Sequence, residues 1–179
     1  MFFIPGQIIA LLTFPGVIVH ESAHLLFCKL RRVAVIDVCF FRVGNPCGYV
    51  IHEIPADFTS SFLVSVGPFL VNSVLCVLFC LPAVVPVRIF GIASPLSMFW
   101  LWLGISIGMH AIPSSGDAAN LWAQAREAFK DRHPLAIASF PLVGLIMLAN
   151  LGRVVWLDYL YGIAIGLLLP EALLQAIAA

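Results

Sequence analysis

Long uncharged runs alternate with short polar punctuation along this chain. No Asp, Glu, Lys or Arg occurs between Met1 and Val19, and none between Asp57 and Arg88. A helix needs about 20 apolar residues to cross the hydrocarbon core of a bilayer. The pattern therefore predicts spans at about Phe2–Phe27, Thr59–Ala83, Phe90–Ala111, Pro134–Asn150 and Val154–Ala176, the last containing Asp158 and Glu171. Two connections read differently. Arg32 to Val43 is rich in Val, Ile, Phe and Cys, Gly44-Asn45-Pro46-Cys47-Gly48 is dense turn chemistry, and Tyr49-Val50-Ile51 follows. That predicts two short strands around a loop, a hairpin at the membrane surface, with an irregular interfacial loop as the plainer alternative. After the third span, Pro113 and Gly116 should break the helix. Ala118 to Arg132 then places Leu121, Trp122, Ala125 and Phe129 on one stripe beside Arg126, Lys130 and Arg132, as an amphipathic interfacial helix does. The expected fold is an all-α polytopic membrane protein with about five transmembrane helices, a short β-hairpin insert and an interfacial helix, in one domain over residues 1–179.

Composition agrees. Of 179 residues 62% are hydrophobic and 10% charged, against about 25% charged in a soluble domain. The formal net charge is zero, which gives no reason to expect a nucleic-acid partner. The first segment lacks a basic start, so a cleavable signal peptide is not expected. Cysteines 28, 39, 47, 76 and 80 form no C-x-x-C pair and read as reduced thiols, a residue type usually buried. Basic residues are unevenly shared. Lys29, Arg31, Arg32, Arg42, Arg126, Lys130 and Arg132 fall in connections on one side of a five-span arrangement, Arg88 and Arg153 on the other. The positive-inside bias then makes the hairpin and the amphipathic helix cytoplasmic, with the N-terminus outside and the C-terminus inside. A short multi-pass chain of this kind suits a prokaryotic inner membrane.

Chemistry enters at the end of the first run. His20-Glu21-Ser22-Ala23-His24 is H-E-x-x-H. Positions i and i+4 share a helix face, so His20 and His24 can offer two imidazole nitrogens to one metal ion, with Glu21 beside it to take a proton from water. A charge inside an apolar segment costs about 2.5–3.5 kcal/mol on insertion scales, which makes Glu21 a functional candidate by default. Catalytic zinc usually has three protein ligands. Asp117, past the break after the third span, is the first choice for the third; its ordinary role would be to cap the helix at Ala118. His110 and Glu53 are the rivals. Asp158 and Glu171 are expected near the ends of the last span.

These residues resemble the site-2 protease family of intramembrane zinc metalloproteases. Three landmarks occur in that family's order: His20–His24 in a membrane helix, Gly67-Pro68-Phe69-Leu70-Val71-Asn72 like its G-P-x-x-N signature, and Pro113-Ser114-Ser115-Gly116-Asp117 like its Pro-rich segment ending in a ligand Asp. The resemblance covers roughly residues 5–125, a metalloprotease-like core, with 134–179 as additional helices. It departs where Asp117 is followed by Ala118-Ala119 instead of Gly, and where His110 replaces a common Asn. The resemblance implies one Zn2+ held by His20, His24 and Asp117, with Glu21 as general base and then proton donor. It implies that Asn72 helps hold substrate or the developing oxyanion, the ordinary alternative being an interhelical hydrogen bond. It further implies hydrolysis of peptide bonds near the cytoplasmic face, in a single-span protein or a leftover signal segment. Such a substrate would unwind and add to the hairpin at 33–54 as a strand. The sequence leaves the oligomeric state open. It also leaves three competing functions: an inactive relative that binds membrane helices as chaperone or regulator, an ion transporter using the membrane carboxylates and His110, and a structural zinc protein.

Overall fold

The computed structural model describes residues 6–178, and the side chains of these save 6, 153, 154, 177 and 178. Helix α1 (Gly6–Leu12) and helix α2 (Phe14–Leu30) take the place of the first predicted span, whose residues 2–5 lie outside the described chain. The break has a local cause. Pro15, in the first turn of α2, has no N–H to continue the ladder from α1, and Thr13 turns its hydroxyl back to the Ile9 carbonyl at 2.7 Å. The Leu12 carbonyl beside this break accepts the indole N–H of Trp102 at 3.0 Å.

Strands β1 (Val35–Cys39) and β2 (Tyr49–His52) form the antiparallel hairpin, with Val38 opposite Val50, Cys39 opposite Tyr49 and an irregularity between Val35 and Asp37. Asp57 then caps helix α3 (Phe58–Val84) by accepting the Ser60 N–H at 2.9 Å, and a π-helical turn, Val85–Ile89, extends it. Helix α4 (Pro95–Met109) is shorter than the predicted 90–111, because Ser94 caps it and Pro95 fixes its first turn. Helix α5 (Ser115–Lys130) starts three residues before the expected Ala118. Helix α6 (Pro134–Leu151) matches its prediction to within a residue. A 3-10 turn (Gly152–Val155) and a left-handed Trp156, φ 64°, lead to helix α7 (Leu157–Ile163), a π-helical turn (Ala164–Leu168) and helix α8 (Leu169–Ala178).

The chain is mostly helical, and among the described residues three helical segments are long and apolar enough to cross a membrane: Phe58–Ile89, Pro134–Leu151 and Leu157–Ala176. Five such helices were expected. The first is split at Thr13 and α4 has 15 residues. Apolar side chains face outward along the late helices, among them Leu145, Leu148, Leu160 and Leu168, the surface that lipid requires of a membrane protein.

Helix α3 is the hub, and its neighbours follow one another along it. At its start Phe58 meets His133 just ahead of α6, and Phe58 and Val66 share a core with Leu121 and Ala125 of α5 and Val143 and Ile146 of α6. Further on, Ser73 bonds Tyr161 of α7 at 2.6 Å, and the Cys76 thiol donates to the Gly162 carbonyl at 3.6 Å. Cys76, Cys80 and Val84 form a second core with Ile105 and Ile165. Arg88, in the π-helical turn, pairs with Glu171 of α8 at 3.0 Å. So α6 covers the first part of α3, α7 and α8 cover the rest, and chain and contacts advance in the same direction. Asn150, near the end of α6, returns to the start of α5 by donating to the Pro113 carbonyl at 2.6 Å, so α5 and α6 form an antiparallel pair. α6 and α7–α8 do not fold back on each other as two adjacent spans would.

A candidate metal centre

His20 and His24 are one turn apart on α2 and buried. Each ring is oriented by a backbone carbonyl: His20 Nδ1 donates to the His110 carbonyl at 2.6 Å and His24 Nδ1 to the Val64 carbonyl at 3.0 Å. A carbonyl only accepts, so the Nδ1 atoms carry the hydrogens and the Nε2 lone pairs face inward, the tautomer a metal requires. Gly16, one turn before His20, permits this approach: a Cβ there would meet the Ser106 carbonyl oxygen and lie 2.6 Å from His110 Nδ1.

The third group arrives on α5. Ser114 is its N-cap, and Asp117, the third residue of the helix, closes a reciprocal capping box with it and is not the cap itself. The box holds the carboxylate toward α2, with Oδ2 3.4 Å from His24 Nε2 and 4.0 Å from His20 Nε2; the two Nε2 atoms are 3.2 Å apart. Atoms so spaced lie about 2.1 Å from a common point, the Zn–N and Zn–O bond length. Two inward lone pairs and a carboxylate oxygen meet without a hydrogen of their own to share, so the point attracts a cation: a proton on one ring, or a metal. These three residues form a group able to hold a metal ion, and the ligand chemistry, two imidazoles and a carboxylate with room for water, fits zinc.

Glu21 is 9% exposed and faces a cavity of about 490 Å3 together with His20, His24 and Asp117. The hairpin loop, Asn45 to Val50, forms another wall. It sits hard against Glu21, since a Cβ on Gly48 would lie 2.7 Å from Glu21 Cγ and 2.9 Å from Val17 Cγ1. Glu21 makes no hydrogen bond among the described residues, so a proton on water in the cavity is within its chemistry.

The remaining candidates fall elsewhere. Asn72 is fully buried and off the cavity wall; its amide donates to the Ile107 carbonyl at 3.0 Å and the Gly16 carbonyl at 3.4 Å. The structure thus places it as a strut tying α3 to α2 and α4, where the resemblance implied a substrate contact. The ring of His110 lines the cavity, donating from Nδ1 to the Ser106 carbonyl at 2.9 Å, outside the ligand group but supporting it through its own carbonyl. Glu53 is exposed beyond β2, Asp158 is half-buried in the first turn of α7, and Glu171 pairs with Arg88; none lines the cavity. Sequence reasoning missed the two carbonyls and Gly48. The carbonyls leave no trace in residue types, whereas Ser114-x-x-Asp117 is a legible capping box.

No protein-family model, curated protein or solved structure matches this chain. The functional reading therefore stands on the residues and their geometry.

Proposed function

We propose that the chain is a zinc endopeptidase of the membrane interior, acting on a single-span protein or residual signal segment near the cytoplasmic face, as its likeness to site-2 proteases suggests. One observation carries the reading: two tautomer-fixed imidazoles and a carboxylate converge on one point, in a cavity that also receives a buried, unbonded Glu21. Zinc, when bound, lowers the pKa of water from 15.7 to about 7 and polarises a carbonyl. His20, His24 and Asp117 hold the ion. Glu21 takes the water's proton and passes it to the leaving amine. A helix hides its carbonyls in its own hydrogen bonds, so the cleaved segment enters extended, with β2 alongside.

The contact order along α3 favours four crossings over five: α1–α2, α3, α4 and α7–α8. α5 and α6 then form an arm on the metal-centre side, α6 dipping into one leaflet. Lys29, Arg31, Arg32, Arg42, Arg126, Lys130 and Arg132 keep that side cytoplasmic, and the end of α8 lies outside. A reporter active only outside the cytoplasm, fused behind α8, should be active; a silent fusion there sinks the four-crossing arrangement.

Zinc stoichiometry and cleavage test the chemistry together. His20→Ala, His24→Ala and Asp117→Ala should lose zinc, while Glu21→Gln should keep zinc and stop cleavage. Wild-type protein purified without any tightly held metal would leave the cluster as a His–Asp ion pair joining α2 to α5, and the proposal would fail.

A further inference from the structure

Helix α5 begins at the metal centre, and its first turn is unevenly satisfied. The Asp117 N–H goes to Ser114 Oγ at 3.2 Å, the Ser114 N–H to Asp117 Oδ2 at 3.1 Å, and the Ala118 N–H to the Ser114 carbonyl at 2.9 Å. Two donors remain, the backbone N–H groups of Ser115 and Gly116, which have no hydrogen-bond partner among the described residues. Both residues are exposed and line the cavity. Gly116 has no side chain, so what it offers there is backbone. Such N–H groups carry the positive end of the helix dipole, about +0.5 of a charge, and favour an anion.

Glu21 supplies an independent pointer to a ligand at this place. It is 9% exposed, it faces the same cavity, and nothing in the described chain bonds it. A carboxylate buried to that degree and left unbonded implies a partner that arrives from outside. A ligand that reaches Glu21 through the cavity shares that cavity with the two free donors.

We propose that the Ser115 and Gly116 N–H groups receive the oxyanion of the scissile peptide. Water adds to the carbonyl carbon as Glu21 removes its proton. A C–O bond forms, and the C=O π pair moves onto the carbonyl oxygen, which the two N–H groups hold. When that pair returns, the C–N bond breaks and the amine leaves with the proton from Glu21. The inference rests on the peptidase reading, and it gives the start of α5 two roles: Asp117 aims one way at the histidines while the preceding turn presents its amides to substrate.

The test removes a hydrogen and little else. Ser115 is the first residue of α5, where proline is well tolerated. Ser114, at φ −61° and ψ 165°, already has the extended backbone that a following proline demands. Ser115→Pro deletes the N–H, and Ser115→Ala deletes only the hydroxyl, so their ratio isolates the donor. In the zinc-loaded full chain, Ser115→Pro should turn over about 10²–10³-fold more slowly than Ser115→Ala, with KM little changed. A peptide phosphinate, whose tetrahedral oxyanion mimics the intermediate, should lose affinity by a similar factor. Equal kcat and equal phosphinate affinity in the two variants, at equal zinc content, would overturn the assignment. If Ser115→Pro loses zinc, an α-hydroxy acid incorporated at position 115 removes the N–H as an ester and decides the matter on the same two readouts. Glu21→Gln separates this inference from the one beneath it: a dead Glu21→Gln beside an unaffected Ser115→Pro sinks only the oxyanion site, whereas an active Glu21→Gln sinks the peptidase.

Discussion

Replacing Gly48 with alanine drives a methyl group into the base of Glu21. The added carbon would sit 2.7 Å from Glu21 Cγ, 2.9 Å from Val17 Cγ1 and 3.1 Å from the Phe40 carbonyl oxygen. Carbon atoms rest about 3.5–4.0 Å apart, so the loop or the glutamate must yield by about 1 Å. Overpacking of this kind costs about 1–3 kcal/mol of stability, and a displacement of about 1 Å at a catalytic group costs about 10²-fold in rate. The metal ligands are not among the atoms struck. Gly48→Ala should therefore keep its zinc while cleavage of a membrane-embedded reporter falls about 10²-fold. The assay is metal content, melting and cleavage on one detergent-purified sample. Wild-type turnover would show that the loop does not set the position of Glu21. Loss of zinc with turnover would show that the hairpin supports the ligands themselves.

Three other outcomes follow from the packing. Asn72→Ala removes bonds from α3 to α2 and α4, and membrane-buried side-chain bonds average about 0.6 kcal/mol; a loss near that size in a reversible unfolding assay, with kcat little changed, is expected, and a large kcat loss at full stability would return Asn72 to the substrate. Hydrogen bonds from the Ser60 hydroxyl and N–H hold the Asp57 carboxyl below its ordinary range. Because the folded pKa is depressed, that stability is present above the unfolded value near 3.8 and fades as pH falls through the folded one; Asp57→Ala should cost about 1 kcal/mol as a lost cap at neutral pH, and a wild-type melting temperature there would refute the cap. Arg88→Ala leaves Glu171 at the far end of α3 without its partner and should disturb stability but not zinc content; zinc loss would mean that the two ends of the molecule are coupled.

Much of this architecture could be read beforehand where local chemistry sets it. Charged and proline punctuation at Asp57 and Pro134 fixed α3 and α6, and the Gly44–Gly48 turn announced the hairpin, though not the irregularity near Val35. The i, i+4 spacing brought His20 and His24 together, and the Asp after a helix break met them. Other features had readable signals that the apolar pattern masked: Pro15 splits the first helix, and Ser94-Pro95 shortens α4. The direction of α6 relative to α7–α8 had no signal, because hydropathy has no sense of up or down. Nor could residue types show that Asn72 spends its amide on carbonyls of two neighbouring helices, or that carbonyls of Val64 and His110 aim the histidine rings.

The cysteines have a practical consequence. Cys28, Cys76 and Cys80 are sealed inside the helical packing, while Cys39 and Cys47 are part-exposed on the hairpin, and Cys47 lines the cavity that holds Glu21. A thiol-reactive fluorophore applied to the intact wild-type molecule would thus mark the hairpin that walls the cavity, which a peptide substrate would pass if the proposed activity holds. The native chain comes with its own built-in sensor for occupancy, and no cysteine need be engineered to listen to it.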